Sequence, residues 1–214
     1  AELSGGSIPE WGEAFSNMRR GIIVIDSGSV TRTPRPLETV IRHELSHIVL
    51  AQKVRGARLP TWFVEGLAMR QSREWTLIDQ WRLMTAIWSG GLPDLEDLED
   101  GFPVPAATAS AAYNLSYAAV DRLLEERPED LLTLLSFTRD LGDFDRAFLL
   151  TFGRDKYDFT ETFHLDLQKR YGRAIPLLRS PPFWLILTAM FILAYILKRI
   201  RSARKLREWE EDGA

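Results

Sequence analysis

Apolar positions along this chain recur at helical spacing for most of its length, broken by one short β-branched run and closed by a segment with no polar side. Leu37, Val40, Ile41, Leu45, Ile48, Val49 and Ala51 predict a helix over Leu37 to Lys53. They cover most of its circumference and leave Thr39, Arg42 and Ser46 as a narrow polar strip, so this helix is expected to be buried. Gly56 is a suitable stop, and Thr61 after Pro60 reads as the N-cap of a second helix. Between Glu74 and Trp88, the positions of Trp75, Ile78, Trp81, Leu83, Ala86 and Trp88 are closer to helix than to strand. Such a burden of aromatics suits core packing or the lining of a pocket. Gly90-Gly91-Leu92-Pro93 breaks the pattern, and Asp94 to Pro105 is an acidic loop read either as a cover over a cleft or as a connection.

The second half continues as helices over Ala106 to Arg127, Glu129 to Leu141 with Pro128 at its first position and Gly142 at its end, Phe144 to Phe152, and Phe159 to Tyr171. Ahead of all these, Gly21-Ile22-Ile23-Val24-Ile25-Asp26 reads as a strand. Residues 1–20, with the turn-prone Ser4-Gly5-Gly6-Ser7, give no clear period. Only 42 residues precede His43, so any sheet is small. The expected class is α+β, mainly helical.

The tail changes solvent. From Phe183 to Leu197 no side chain is charged, apolar residues occupy every face, and aromatics stand near both ends, which predicts a transmembrane helix over residues 183–200 rather than a core helix. Arg179 stands alone on one side, while Lys198, Arg199, Arg201, Arg204, Lys205 and Arg207 crowd the other. By the positive-inside rule the C-terminus is then cytoplasmic and the preceding domain extracytoplasmic. The expected organisation is a domain over 1–175, a linker over 176–182, the span, and a basic tail over 201–214. The sequence begins at Ala1 with no signal-peptide pattern, so it reads as a mature or trimmed form whose export signal lies upstream.

Composition narrows the functions. In 214 residues, 45% of them apolar, there is material for one sizeable core. The net charge of -3 conceals an asymmetry: residues 1–178 carry 20 basic and 26 acidic groups, and the remainder 7 and 4. The body is acidic and offers no basic groove interleaved with aromatics, which argues against a nucleic-acid partner. The absence of cysteine excludes disulfides, thiol catalysis and thiolate metal sites.

The candidate chemistry sits on the first helix. His43 and His47 lie one turn apart on one face, and Glu44 about 100° round the helix. Two neutral imidazoles at this spacing can hold zinc and leave positions open for water, with Glu44 as base. All three are polar groups on an otherwise apolar face, a costly placement unless something pairs them. Separated from His47 by seventeen residues, Glu65 in the first turns of the second helix supplies a third ligand once a short loop turns that helix back. The remaining histidine, His164, has no partner motif and reads as structural.

His43-Glu44-x-x-His47 followed by Pro60-x-Trp62-Phe63-x-Glu65-Gly66-x-Ala68 resembles the gluzincin zinc metallopeptidases, in particular small peptidase-MA-like bacterial proteins with a Trp-Phe-x-Glu-Gly-x-Ala signature. The resemblance is firm from Leu37 to Gln71. It implies a zincin-like metallopeptidase domain with a small N-terminal sheet, His43, His47 and Glu65 as Zn2+ ligands, and Glu44 activating a zinc-bound water in peptide hydrolysis. It also implies Tyr113, at the start of Tyr113-Asn114-Leu115-Ser116, near the cleft as a donor to a developing oxyanion. Thermolysin-like relatives carry an acidic residue four positions after the third ligand, where this chain has Met69. The expected protein is a membrane-anchored zinc peptidase acting on peptide or protein substrates near the bilayer. Two alternatives stand beside it: an inactive zinc-binding peptide-recognition module at the cell envelope, and a helical interaction module without metal.

Overall fold

The computed structural model describes residues 14–17, 22–25, 35–102, 106–125, 127–172 and 181–212. The turn-prone Ser4 to Ser7 and most of the expected linker lie outside them. The chain divides into two compact units, Ala1–Leu167 and Gln168–Ala214.

The first unit is mainly helical. Strands β1 (Ala14–Asn17) and β2 (Ile22–Ile25) form an antiparallel pair in which Ala14 faces Ile25 and Asn17 faces Ile22. Both contact α1 (Leu37–Val54). Next come α2 (Thr61–Ser72), α3 (Leu77–Ser89), a single 3₁₀ turn (Glu96–Leu98), α4 (Ala106–Glu125), α5 (Asp130–Leu141), α6 (Phe144–Phe152) and α7 (Lys156–Gly172). Helix α2 lies between α1 and α4, and α3 packs on α4.

What fixes α2 is its first turn. Trp62 and Phe63 are fully buried, in an aromatic cluster with Phe144 and Phe148 of α6 and Phe159 of α7. Trp62 stacks on Phe159 with ring centroids 6.3 Å apart, and edge-on against Phe63 at 5.8 Å. Aromatic pairs of this geometry add to a large burial of apolar area, so the start of α2 is anchored to the second half of the domain. Thr61 is the first helical residue and not the N-cap: Pro60 holds that position. The Thr61 hydroxyl and backbone N–H both donate to the Glu99 carbonyl, at 3.0 and 2.9 Å.

That bond decides the nature of the acidic loop. Leu95 and Leu98 are buried, and the Glu99 carboxylate pairs with Lys156 at 2.5 Å. Lys156 is itself buried and also meets Asp145 at 2.7 Å. The described part of the loop is therefore a connection tied to α2, α6 and α7 by its backbone, its leucines and an ion triad.

Two expectations about the helices are corrected. Helix α1 is not buried on all faces: Leu37, Ile41, Leu45 and Val49, at steps of four, are exposed, whereas Ser46 of the supposed polar strip is buried with Glu44 and His47. The face turned inward is the one carrying the polar triad, because the third carboxylate lies on α2; Val40, Ile48, Leu50 and Val54 supply the apolar contacts on that side. Helix α3 begins at Leu77, where Thr76 and Asp79 form a capping box, leaving Glu74 and Trp75 outside it. The tryptophans of this stretch are not core residues: Trp81 is exposed and packs edge-on with Trp88 within α3, and Trp75, ahead of it, stacks on Tyr117 at 4.1 Å.

The second unit contains α8 (Pro181–Asp212), whose segment Pro181–Arg201 has a mean hydropathy of 1.8 and no buried part. Its 21 residues extend roughly 31 Å, against roughly 30 Å of hydrocarbon. This is a candidate membrane helix by length and composition.

Candidate metal centre

Helical periodicity puts His43 and His47 over one another on α1, with ring centroids 4.8 Å apart and planes at 77°. Helix α2 runs past this face and presents Glu65. His43 Nε2 lies 3.4 Å from Glu65 Oε2, and His47 Nε2 lies 3.7 Å from Glu65 Oε1. One ligand atom from each of the three residues falls within a 4.8 Å group. Among the described residues no other cluster of three such side chains does so.

Glu65 gets there because its neighbours fix α2 from both sides. Trp62 and Phe63 hold the first turn in the aromatic core. Gly66, the next residue, lies so close to α4 that a Cβ there would stand 2.2 Å from the Ser116 carbonyl oxygen and 2.8 Å from Val120 Cγ2. Glycine is required at this position by helix approach rather than by backbone dihedral.

The electrostatics are those of a cation site. Burial alone would lower the pKa of His43, but hydrogen bonds and charge from Glu65 and Glu74 outweigh it and raise the value to about 10. Burial dominates at His47 and lowers its pKa despite Glu65. Burial works to raise Glu65, yet His43 and His47 hold its carboxyl below the usual range. Without a metal, then, one imidazolium sits between two carboxylates beside one neutral imidazole. A proton occupies ground that suits a cation. His47 Nδ1 is buried without a hydrogen-bond partner among the described residues, so its donor atom Nε2 is the only one with a polar neighbour. Glu44 is buried on the same helix face, 9% exposed.

Tyr113 is brought to this cluster by α4. Burial, and after it the Glu65 carboxylate, push its hydroxyl pKa up, with smaller contributions from Glu74 and Glu44. Its ring packs edge-on against Phe102 at 4.6 Å. His164 falls elsewhere, half-buried on α7 in a groove with Asp94, Glu96, Asp158 and Glu161.

One residue at the centre was not foreseen from sequence. Glu74 accepts a 2.8 Å hydrogen bond from His43 Nδ1 and an ion-pair bond of 2.9 Å from Arg35. The apolar stripe of the sequence places it at the start of a helix, and the one signal toward its role is the absence of an acid at position 69. Met69 is a core residue, 7% exposed.

Comparison with known proteins gives the same direction. A family model of the Peptidase MA superfamily matches residues 8–167. No curated protein and no solved structure matches the chain.

Proposed function

The chain belongs to the Peptidase MA superfamily, and from that premise we propose that it is a zinc-dependent peptidase of gluzincin type, held at a membrane by α8. The observation that carries this reading is the convergence of His43 Nε2, His47 Nε2 and the Glu65 carboxylate. The two imidazole nitrogens lie 3.4 and 3.7 Å from the two Glu65 oxygens, and one ligand atom of each residue falls within 4.8 Å of the others, a spacing that a small closure brings to the roughly 3.3 Å edge of a tetrahedron with metal–ligand distances of about 2.0 Å, as zinc prefers. Two imidazoles and one carboxylate also match an open catalytic sphere and not a closed structural one.

When bound, zinc supplies Lewis acidity toward a peptide carbonyl and a water molecule. The chain's own residues do the rest. His43, His47 and Glu65 hold the ion. Glu44 takes a proton from the attacking water and delivers it to the leaving amine. Tyr113, kept protonated by its surroundings, donates a hydrogen bond to the oxygen on which negative charge develops. The domain then occupies 1–175, the linker 176–182, the span 183–200 and the basic tail 201–214, and cleavage is confined to polypeptides near the bilayer. The charge pattern supports an extracytoplasmic domain and a cytoplasmic C-terminus.

The deciding experiment uses the full chain in detergent, with zinc content and peptide turnover measured for wild type, Glu65→Ala and Glu44→Gln. One zinc per wild-type chain, weakened in Glu65→Ala, with turnover abolished and zinc retained in Glu44→Gln, is the expected set. A fully active Glu44→Gln protein ends the hydrolytic mechanism. Zinc binding without turnover of any peptide leaves the recognition module, and no zinc at all leaves the interaction module.

A further inference from the structure

We infer that Glu74, braced by Arg35, is the positioning residue that orients His43 for the metal, taking over from a different place in the chain the role for which position 69 has no acid. This rests on the zinc reading above and deepens it.

The inference starts from the backbone. Helix α2 ends at Ser72, and its C-cap Arg73 adopts a left-handed conformation, φ 58°, ψ 36°. The Arg73 N–H closes on the Met69 carbonyl, as does that of Glu74 at 3.4 Å. Directly after this turn the Glu74 side chain meets His43 of α1. Position 69 is unable to do so, because Met69 faces the core at 7% exposure. The acid therefore comes from just past the helix end, nine residues after Glu65.

At its destination Glu74 is enclosed. Its side chain is 6% exposed and both carboxylate oxygens are engaged, Oε1 with His43 Nδ1 at 2.8 Å and Oε2 with Arg35 Nη1 at 2.9 Å. A carboxylate accepts only, so the contact fixes a proton on His43 Nδ1. The lone pair of the neutral ring is then on Nε2, the atom facing Glu65. A carboxylate behind a ligating imidazole both sets the tautomer and locks the ring plane. His47, in contrast, has no such partner among the described residues. One of the two imidazoles is thus pre-oriented and the other takes its place when the ion arrives. Arg35 precedes Pro36, the N-cap of α1, so its bond to Glu74 ties the start of that helix to the end of α2.

The test is zinc affinity of the full chain in detergent, by competition with a chromophoric chelator, for wild type, Glu74→Ala, Glu74→Gln, Glu65→Ala and the exposed control Glu38→Gln. Glu74→Ala is expected to weaken zinc about 10- to 100-fold. Glu74→Gln keeps an acceptor oxygen and is expected to recover part of that loss, which a purely steric role does not give. In the zinc-loaded protein the His43 Nδ1–H should be a slowly exchanging imidazole resonance in wild type and vanish into exchange in Glu74→Ala. An unchanged imidazole resonance and affinity within twofold of wild type in Glu74→Ala overturn the proposal; circular dichroism identifies any variant that fails to fold, and if Glu74→Ala is one, Glu74→Met, close in size and without an acceptor oxygen, is read by the same criterion. If wild type binds zinc, Glu65→Ala loses it and Glu74→Ala does not, the positioning role falls while the metal site stands. If wild type and Glu65→Ala are both without zinc, the metal reading and the positioning role fall together.

Discussion

Replacing Gly66 by alanine tests whether the approach of two helices, rather than a ligand alone, builds this site. The added Cβ would stand 2.2 Å from the Ser116 carbonyl oxygen, 2.6 Å from its carbonyl carbon and 2.8 Å from Val120 Cγ2. Two of these atoms are backbone, so no rotamer change relieves the clash; α2 and α4 must separate by about 1 Å to restore ordinary contact distances near 3.5 Å. Overpacking of this kind costs about 3 kcal/mol or more, against roughly 1 kcal/mol gained from alanine's helix propensity. A net loss of at least about 2 kcal/mol follows, near a thirty-fold change in the folded ratio. The same separation displaces Glu65, adjacent to Gly66, from its place against α1, so zinc affinity should fall with stability. Urea unfolding of the full chain in detergent, paired with chelator competition, measures both. Two results refute the reasoning: a loss below about 0.5 kcal/mol, which is within the range of an ordinary surface change, or substantial rescue by Val120→Ala, since the nearest atoms belong to the Ser116 backbone.

Three further outcomes follow from the same geometry. With metal removed, the stability contributed by His43 is full below its unfolded value of 6.5 and is lost as pH rises toward about 10, while that of Glu65 and Glu74, whose pKa values are lowered, is present above 4.5 and lost in acid. His47, whose pKa is lowered, costs stability as pH falls below 6.5, so chelated protein should be most resistant to urea near pH 6.5 and weaken on either side, toward pH 10 and into acid, a profile absent from zinc-loaded protein; a flat profile contradicts the assigned proton on His43. Lys156→Met removes the centre of a triad in which the lysine is buried and both acids keep some access to water; a loss of about 1.5–3 kcal/mol is expected in the same unfolding assay, and an unchanged midpoint would show the tie between loop, α6 and α7 to be idle. Tyr113→Phe should lower kcat about 10²-fold with KM and zinc affinity little changed, and an equal loss of zinc would place the tyrosine in the structure of the site instead of its chemistry.

Much of the helical frame was legible because its signals are local. Helix α5 ends at Gly142, α6 spans Phe144–Phe152 as read, and β2 covers the β-branched run Ile22–Ile25. Strand β1 was not legible: Ala-Phe-Ser-Asn is four residues with no alternation, and it is a strand because β2 pairs with it. The start of α3 was not legible because Trp75 fits the helical stripe, whereas the backbone obeys the capping box that Thr76 and Asp79 form directly after it. The burial of α1 was not legible for a related reason. An apolar count treats every hydrophobic residue as a candidate for the core, yet a helix with a polar triad to deliver must face that triad inward, and Leu37, Ile41, Leu45 and Val49 are left on the outer side.

The site divides along the same line. The cluster of His43, His47 and Glu65 was readable because it is written as spacing: a helix at 3.6 residues per turn brings the histidines together on α1, and the glutamate follows a strong helix start. Glu74 was not readable, because it reaches His43 through tertiary geometry alone, by way of a left-handed Arg73 that no sequence rule demands there. Arginine in that conformation is itself unfavourable, and glycine or asparagine is the usual choice. A helix end held in an uncommon conformation, directly before a buried carboxylate that touches a candidate ligand, is strain located where orientation matters. Arg73→Gly relaxes the turn without altering any side chain of the site. If the turn serves only to end α2, that substitution stabilises the protein by up to about 1 kcal/mol and leaves zinc affinity alone. If the rigid turn holds Glu74 against His43, stability rises while zinc affinity falls, and the two measurements move in opposite directions.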